Sequence, residues 1–359
     1  MGTGNKDCRH RQYNRPLHRG RWRSWKAVNT RFIAVKAAAV VAILCSLQME
    51  AVAQWVWSPQ IGQFINLRNL PRETPELQIE HIRGLMLEGD YRQALGETDL
   101  FTQYYADTEY ADENQFLRGE ILYRWGRYHR AAQEFQQVVA NYPASGLHDE
   151  VIQRQYDIGD ALYEEGLERM DRRFAWFRTQ PLRQAIEVYN MVIDNQPFTE
   201  AAAEAQYKVG RCHQALDEYI EAAYEYRRVV EDYSGTAWVP DASHGLVESY
   251  YASTLPPAYD QSPSRLTINA IEDFIQRYPG DERVDELQER RLEMRENIAQ
   301  QRLKTARFYE RRRQFDSAHI YYEILVDQFA GTEAAESARE WLAEHGDQHQ
   351  PFAEQLGGY

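Results

Sequence analysis

Small, aromatic and turn-forming positions recur in one order along most of this chain. A small residue is followed four positions later by an aromatic or apolar one, and eleven positions after the small residue comes an aromatic or a residue followed by Pro. The copies are Ala131–Phe135–Tyr142-Pro143, Ala185–Tyr189–Gln196-Pro197, Ala222–Tyr226–Tyr233-Ser234 and Ala318–Tyr322–Phe329-Ala330. A looser fifth has Thr267 and Ile271 before Tyr278-Pro279. Turn signals precede the small residue: Gly89-Asp90-Tyr91 before Ala94, Gly126-Arg127-Tyr128 before Ala131, Leu216 to Tyr219 before Ala222, and Arg313-Gln314-Phe315 before Ala318. Upstream segments carry Gly119, Gly159, Gly210 or Ala306 at a matched place. This spacing predicts antiparallel helix pairs joined by tight turns. The helices approach where small residues meet, as at Gly119 and Ala131, a Tyr or Phe fills the gap below the turn, and Pro stops the second helix.

Other segments follow the same helical period. Leu266, Ile268, Ile271, Phe274 and Ile275 predict one apolar helix face. Between Glu282 and Arg313 the pattern predicts a long charged helix with sparse apolar positions, Leu287, Leu292, Ile298, Leu303 and Phe308. Leu255 to Ser264 is a Pro- and Ser-rich loop, and Glu168 to Gln180 is an insertion within the third pair. No strand-like alternation stands out. A unit of about 34 residues whose open apolar face is covered by the next unit resembles the tetratricopeptide repeat. The fold class expected is therefore all-α, a superhelical solenoid of helix–turn–helix pairs. Its parts are a leader (1–53), an N-terminal extended segment (54–74), N-terminal repeats (75–254), C-terminal repeats (255–344) and a disordered tail (345–359).

Charge separates the leader from the rest. Residues 1–53 hold ten Lys and Arg against two acids, although the whole chain carries −14, so residues 54–359 carry −22. After the basic stretch come the apolar run Ala37 to Leu47 and Ala51-Val52-Ala53, the pattern of a signal peptide released before Gln54. Cys45 lies in that run behind Ile43-Leu44, a poor context for acylation, so a soluble protein starting at Gln54 is expected. Of the three Cys, only Cys212 then remains, which excludes a disulfide scaffold. An acidic body disfavours nucleic acid as a partner.

No catalytic pattern is present: H-E-x-x-H, G-x-x-x-x-G-K-[ST], G-x-S-x-G and C-x-x-C are all missing. Cofactors and metals are not expected, and neither is enzyme activity. The candidate site is the concave face lined by the first helix of each pair. Projection from the small residue selects Phe116, Glu120 and Tyr123 in the second repeat. It selects Tyr156, Asp160 and Tyr163 in the third, and Tyr207, Arg211 and Gln214 in the fourth. Aromatics interleaved with polar groups suit an extended peptide, although the same rings also suit packing between repeats.

The stretch from Ser262 to Leu342 is more specific. It carries Arg277-Tyr278-Pro279, Ala306-Arg307-Phe308-Tyr309, Phe315, Ala318, Tyr321-Tyr322 and Thr332-Glu333-Ala334. In this order the residues resemble the BamD (YfiO) family of outer-membrane protein assembly factors, and the upstream repeats are similar to it too. The resemblance implies a non-catalytic periplasmic scaffold with protein partners: the outer-membrane barrel insertase and unfolded barrel clients. Association with the outer membrane would be peripheral. Members of that family are usually lipid-anchored, which the context of Cys45 does not match. The alternative is a recruitment module for a periplasmic cell-wall enzyme complex.

Overall fold

The turn and end signals become helix boundaries through identifiable backbone chemistry. The computed structural model describes residues 55–58, 63–66, 70–170 and 179–345. The leader, the core of the insertion (171–178) and residues 346–359 lie outside the described residues.

The chain divides into two units at Leu70. In the first, β1 (Trp55–Ser58) pairs antiparallel with β2 (Gln63–Asn66), with Trp55 opposite Asn66 and Ser58 opposite Gln63. This short hairpin lies in the segment where no strand-like alternation stands out in the sequence. Four-residue strands are too short for alternation to register, and only their Trp, Val, Phe and Ile content marks them.

The second unit is all-α. Its helices are α1 (Pro75–Glu88), α2 (Tyr91–Tyr105), α3 (Ala111–Arg124), α4 (Tyr128–Asn141), α5 (His148–Met170), α6 (Gln180–Asn195) and α7 (Glu200–Ala215). They continue as α8 (Tyr219–Asp232), α9 (Val239–Ala252), α10 (Ser262–Arg277), α11 (Val284–Arg311), α12 (Phe315–Gln328) and α13 (Glu333–His345). Each packs chiefly on its neighbours in sequence, making six antiparallel pairs and a final helix among the described residues. The fold is a tetratricopeptide-type solenoid.

Turns within the short pairs share a left-handed residue five positions before the small Ala. It is Gly89, Gly126, Asp217 or Arg313, with φ of 81°, 73°, 58° and 58°. Glycine adopts this conformation without cost, whereas Arg313 holds it against a Cβ clash. At the other end, the second helices stop at Tyr142, Gln196 and Tyr278, each followed by Pro. In four inter-pair turns a Thr hydroxyl donates to a carbonyl three residues back: Thr108, Thr199, Thr236 and Thr332, at 2.7–2.9 Å.

In four of the six pairs the helices meet around a ring, Phe135, Tyr189, Tyr226 or Tyr322. A Cβ on Gly119 would lie 2.6 Å from the Phe135 ring, one on Gly159 2.5 Å from Tyr189, and one on Gly210 2.7 Å from Tyr226. Gly119 thus makes room for Phe135 rather than for Ala131. The ring follows the small residue by sixteen positions in α3/α4, α7/α8 and α11/α12, but by thirty in α5/α6. The added length extends α5 to 23 residues, and its extra turns pack through Gly166 onto Leu182.

Apolar contacts form separate clusters strung along the solenoid. The long helix α11 belongs to two of them. Val284 and Leu287 join Val247, Ile271 and Phe274, while Ile298, Leu303 and Ala306 join Tyr322, Leu325 and Trp341. Two positions expected to be apolar contacts on this helix, Leu292 and Phe308, face solvent instead, as does Leu266 on α10. Neither neighbouring helix covers those sides. The Pro-rich loop before α10 is held by buried Gln261, whose amide donates to the carbonyls of Leu255, Pro256 and Tyr259 at 3.1–3.3 Å.

Where α9 meets α11, His244 packs edge-on to Phe274 at 6.2 Å, 3.5 Å from Glu248 and in the field of Arg283, Arg290 and Glu286. Burial pushes its imidazole below the ordinary value.

These contacts can be tested by substitution. Gly159→Ala is expected to cost about 1–3 kcal/mol by overpacking the ring. Gly84→Ala, in an open stretch of α1, is expected to gain about 0.5–1 kcal/mol, both read from urea unfolding. Because His244 is harder to protonate when folded, its contribution to stability is present above about pH 6.5 and declines as the pH falls below that value. His244→Gln is expected to flatten this acid-side decline when unfolding is compared at pH 7.5 and 5.5.

Candidate polypeptide-binding face

The site begins with residues flanking the ring-receiving glycines, because these project to the side lined by first helices. In α3, Glu120 is buried and pairs with Arg154, reaching back from α5, and with Arg124 at 3.7 Å. The Arg154 guanidinium sits 5.9 Å from the centre of the Tyr123 ring, which also packs on Tyr128 at 5.6 Å. The next interval repeats the device with other residues. Lys208, from α7, binds both Asp160 oxygens at 2.7 and 2.9 Å and Glu204 at 3.2 Å, with its ammonium 4.3 Å from the centre of the Tyr156 ring. Asp160 also accepts from the Tyr189 hydroxyl at 2.5 Å. Burial, followed by these carboxylate neighbours, pushes the Tyr189 and Tyr156 phenols well above the ordinary value, so both stay neutral.

Arg211 continues the row, 5.1 Å from the centre of the Tyr163 ring. A cavity of about 300 Å³ opens here between α5, α6 and α7, lined by Asp160, Tyr163, Glu164, Leu167, Tyr189, Lys208 and Arg211. Tyr207 is sandwiched between Tyr226 at 5.5 Å and Trp238 at 5.3 Å.

Of the nine residues projected from the sequence, Asp160, Tyr163 and Arg211 meet at this cavity, and Tyr156 lies beneath Lys208 beside it. Glu120 and Tyr123 form the neighbouring ion-pair and ring cluster. Tyr207 belongs to a three-ring stack. Gln214 accepts from the Tyr226 hydroxyl at 2.7 Å. Phe116 is 8 % exposed and packs on Phe135 at 5.2 Å, with its exposed rim in a different cavity between α1, α3 and α5. The projection does not select Lys208, Arg154 or Leu167. Their side chains come from neighbouring turns or reach across from the next pair, which a projection of one helix at a time misses. The recurrence of a basic residue near the glycines of α5 and α7 is the available signal.

A second regularity is internal. Gln78, Gln115 and Gln206 each donate an amide N–H to the Glu nineteen residues later: Glu97, Glu134 and Glu225. These pairs tie first helix to second and are structural. Among the described residues there is no cluster of metal-ligating side chains, and no helix is long and apolar enough to cross a membrane.

Comparison with known proteins adds a second line of observation. Residues 256–353 match the YfiO family, described as outer membrane lipoprotein, and residues 113–145 match a tetratricopeptide-repeat family. The chain is 21 % identical over 173 residues to the outer membrane protein assembly factor BamD of Caulobacter vibrioides, which is 48 % of this chain and 54 % of that protein. It thus spans about half the length of the curated relative it matches. Among solved structures it is similar to a tetratricopeptide-repeat protein of Thermus thermophilus, at 14 % identity over 62 % of this chain and 98 % of that one, with a TM-score of 0.30. The C-terminal part of a repeat protein from Cytophaga hutchinsonii gives 15 % identity over 74 % and 88 % of the two chains, with a TM-score of 0.33.

Cys212, next to Arg211, is fully buried, and burial pushes its thiol up to about 12. Maleimide labelling at pH 8 followed by peptide mapping is expected to leave Cys212 unmodified in buffer and to modify it in urea. Rapid labelling in buffer would show that the α7/α8 pair opens readily.

Proposed function

We propose that this chain is a non-catalytic periplasmic scaffold of BamD type, which binds components and unfolded clients of the machinery that assembles outer-membrane β-barrels. The observation that carries the reading is the similarity of residues 256–353 to the outer membrane lipoprotein family, with the weaker likeness to BamD beside it. The face described above supports it. Rings that present flat area, cations poised over them and a cavity open to solvent are what an extended, unfolded segment engages without a fixed sequence. The first 53 residues act as an export signal in this reading, and contact with the outer membrane is peripheral, through partners.

Affinity capture of the tagged chain from envelope extracts of its own host, followed by mass spectrometry, tests this. Recovery of an outer-membrane barrel insertase is the expected outcome. Recovery of cell-wall enzymes alone would replace this reading with that of a recruitment module for peptidoglycan synthesis or turnover.

A further inference from the structure

The residue after each ring-receiving small position changes sign along the solenoid. In α3 and α5 it is an acid, and the next first helix supplies its cation: Arg154 for Glu120 and Lys208 for Asp160. In α7 the same position is Arg211. Among the described residues no carboxylate lies within 4.0 Å of its guanidinium, although ion pairs occupy the equivalent positions of the two preceding intervals. The Tyr163 ring lies 5.1 Å from its guanidinium, and Tyr207 and Tyr226 are its electrostatic neighbours. The residue stays exposed at the cavity, whose wall also holds Leu167, 38 % exposed, the acids Asp160 and Glu164, and Lys208, which pairs with Asp160.

A guanidinium offers a planar fork that matches a carboxylate with two parallel hydrogen bonds, and the aromatic surroundings hold the fork in place. The body around it is strongly acidic, so a diffuse polyanion is repelled. A single carboxylate brought close by neighbouring apolar contacts still binds, because the repulsion is screened beyond about 8 Å at physiological salt. The face also continues past Arg211 on both sides, with Tyr123 and Tyr156 before it and the Tyr207–Trp238 stack after it. A chain can therefore pass through rather than end there.

We infer that Arg211, with Tyr163 and Leu167, forms a subsite for the side-chain carboxylate of an Asp or Glu inside an extended polypeptide lying along the first-helix face. The inference rests on reading that face as a polypeptide-binding surface and adds which residue of the bound segment it selects.

The test is a peptide array of twelve-residue, end-blocked windows covering an outer-membrane β-barrel protein, probed with the full-length chain. Each window is made twice, once as is and once with every Asp and Glu replaced by Asn and Gln. Wild type is expected to bind acid-containing windows at least fivefold more strongly than their amide versions. Arg211→Gln is expected to erase that ratio, and Arg211→Lys to keep part of it, with melting temperatures confirming that both variants fold. Versions carrying a free C-terminal carboxylate are expected to add nothing to the end-blocked signal; a gain confined to them, and dependent on Arg211, would assign the subsite to chain ends instead. Equal binding of acid and amide windows by wild type, or a ratio unchanged in Arg211→Gln, overturns the subsite and leaves the polypeptide-binding face standing. Failure of every window to bind wild type overturns the face itself.

Discussion

A ring laid against a bare stretch of helix backbone is the contact on which the rest of this architecture depends. At Gly119, Gly159 and Gly210 a methyl group would sit at 2.5–2.7 Å from the ring of Phe135, Tyr189 or Tyr226, closer than carbon atoms can pack. The glycine and the ring therefore set the separation of the two helices jointly. Fully burying such a side chain contributes about 1.5–3 kcal/mol, and it does so in four of the six pairs, Thr98 and Ile271 standing at the matching place in the other two. The buried phenols have a second role. Their hydroxyls reach past the small residue, Gly159, Gly210 or Ala306, to Asp160, Gln214 or Glu310, so the same residue that spaces the helices also fixes a polar group beside the first helix.

That linkage explains why packing and site are hard to separate here. Asp160 answers to Tyr189 behind it and to Lys208 in front of it. Tyr207 is both a wall of the face and a filler between Tyr226 and Trp238. Arg154 and Lys208 bridge successive pairs, which fixes the pitch of the face and occupies its acids at the same time. This bridging lapses at α7, where Arg211 has no carboxylate within 4.0 Å among the described residues.

The fold was legible because its determinants are local and periodic. Small residue, ring and stop recur within one helix pair, and each has a steric reason that survives translation into one dimension. The errors fall where a partner decides. Leu292, Phe308 and Leu266 fit an apolar period, but no neighbour covers them. The four-residue strands β1 and β2 carry too few residues for a period. Arg313 holds a left-handed turn with a residue that does not advertise one, and only its distance from Ala318 marks it. The Gln–Glu ties and the Thr turns recur at constant spacing and could have been read, yet they lie outside the small-and-aromatic pattern. In the site, Asp160, Tyr163 and Arg211 were accessible from the sequence because they project from one helix. Lys208 and Arg154 were not, since their long side chains act on the helix before their own. Phe116 and Gln214, projected from the sequence in the same way, pack on Phe135 and accept from Tyr226 instead.

The long helix α11 has a consequence for how the solenoid comes apart. Pairs before it are joined through turns of a few residues, and one apolar cluster running from Phe116 on α3 to Tyr233 after α8 holds three of them together. With α11 no such joint exists. Its first turns are buried with α9 and α10 and its last turns with α12 and α13, and a continuous helix resists being half-melted. The C-terminal region from α10 onward then behaves as one cooperative block. A pull on the last helix is transmitted 28 residues along a rigid rod, about 42 Å at 1.5 Å per residue, before any hinge can absorb it.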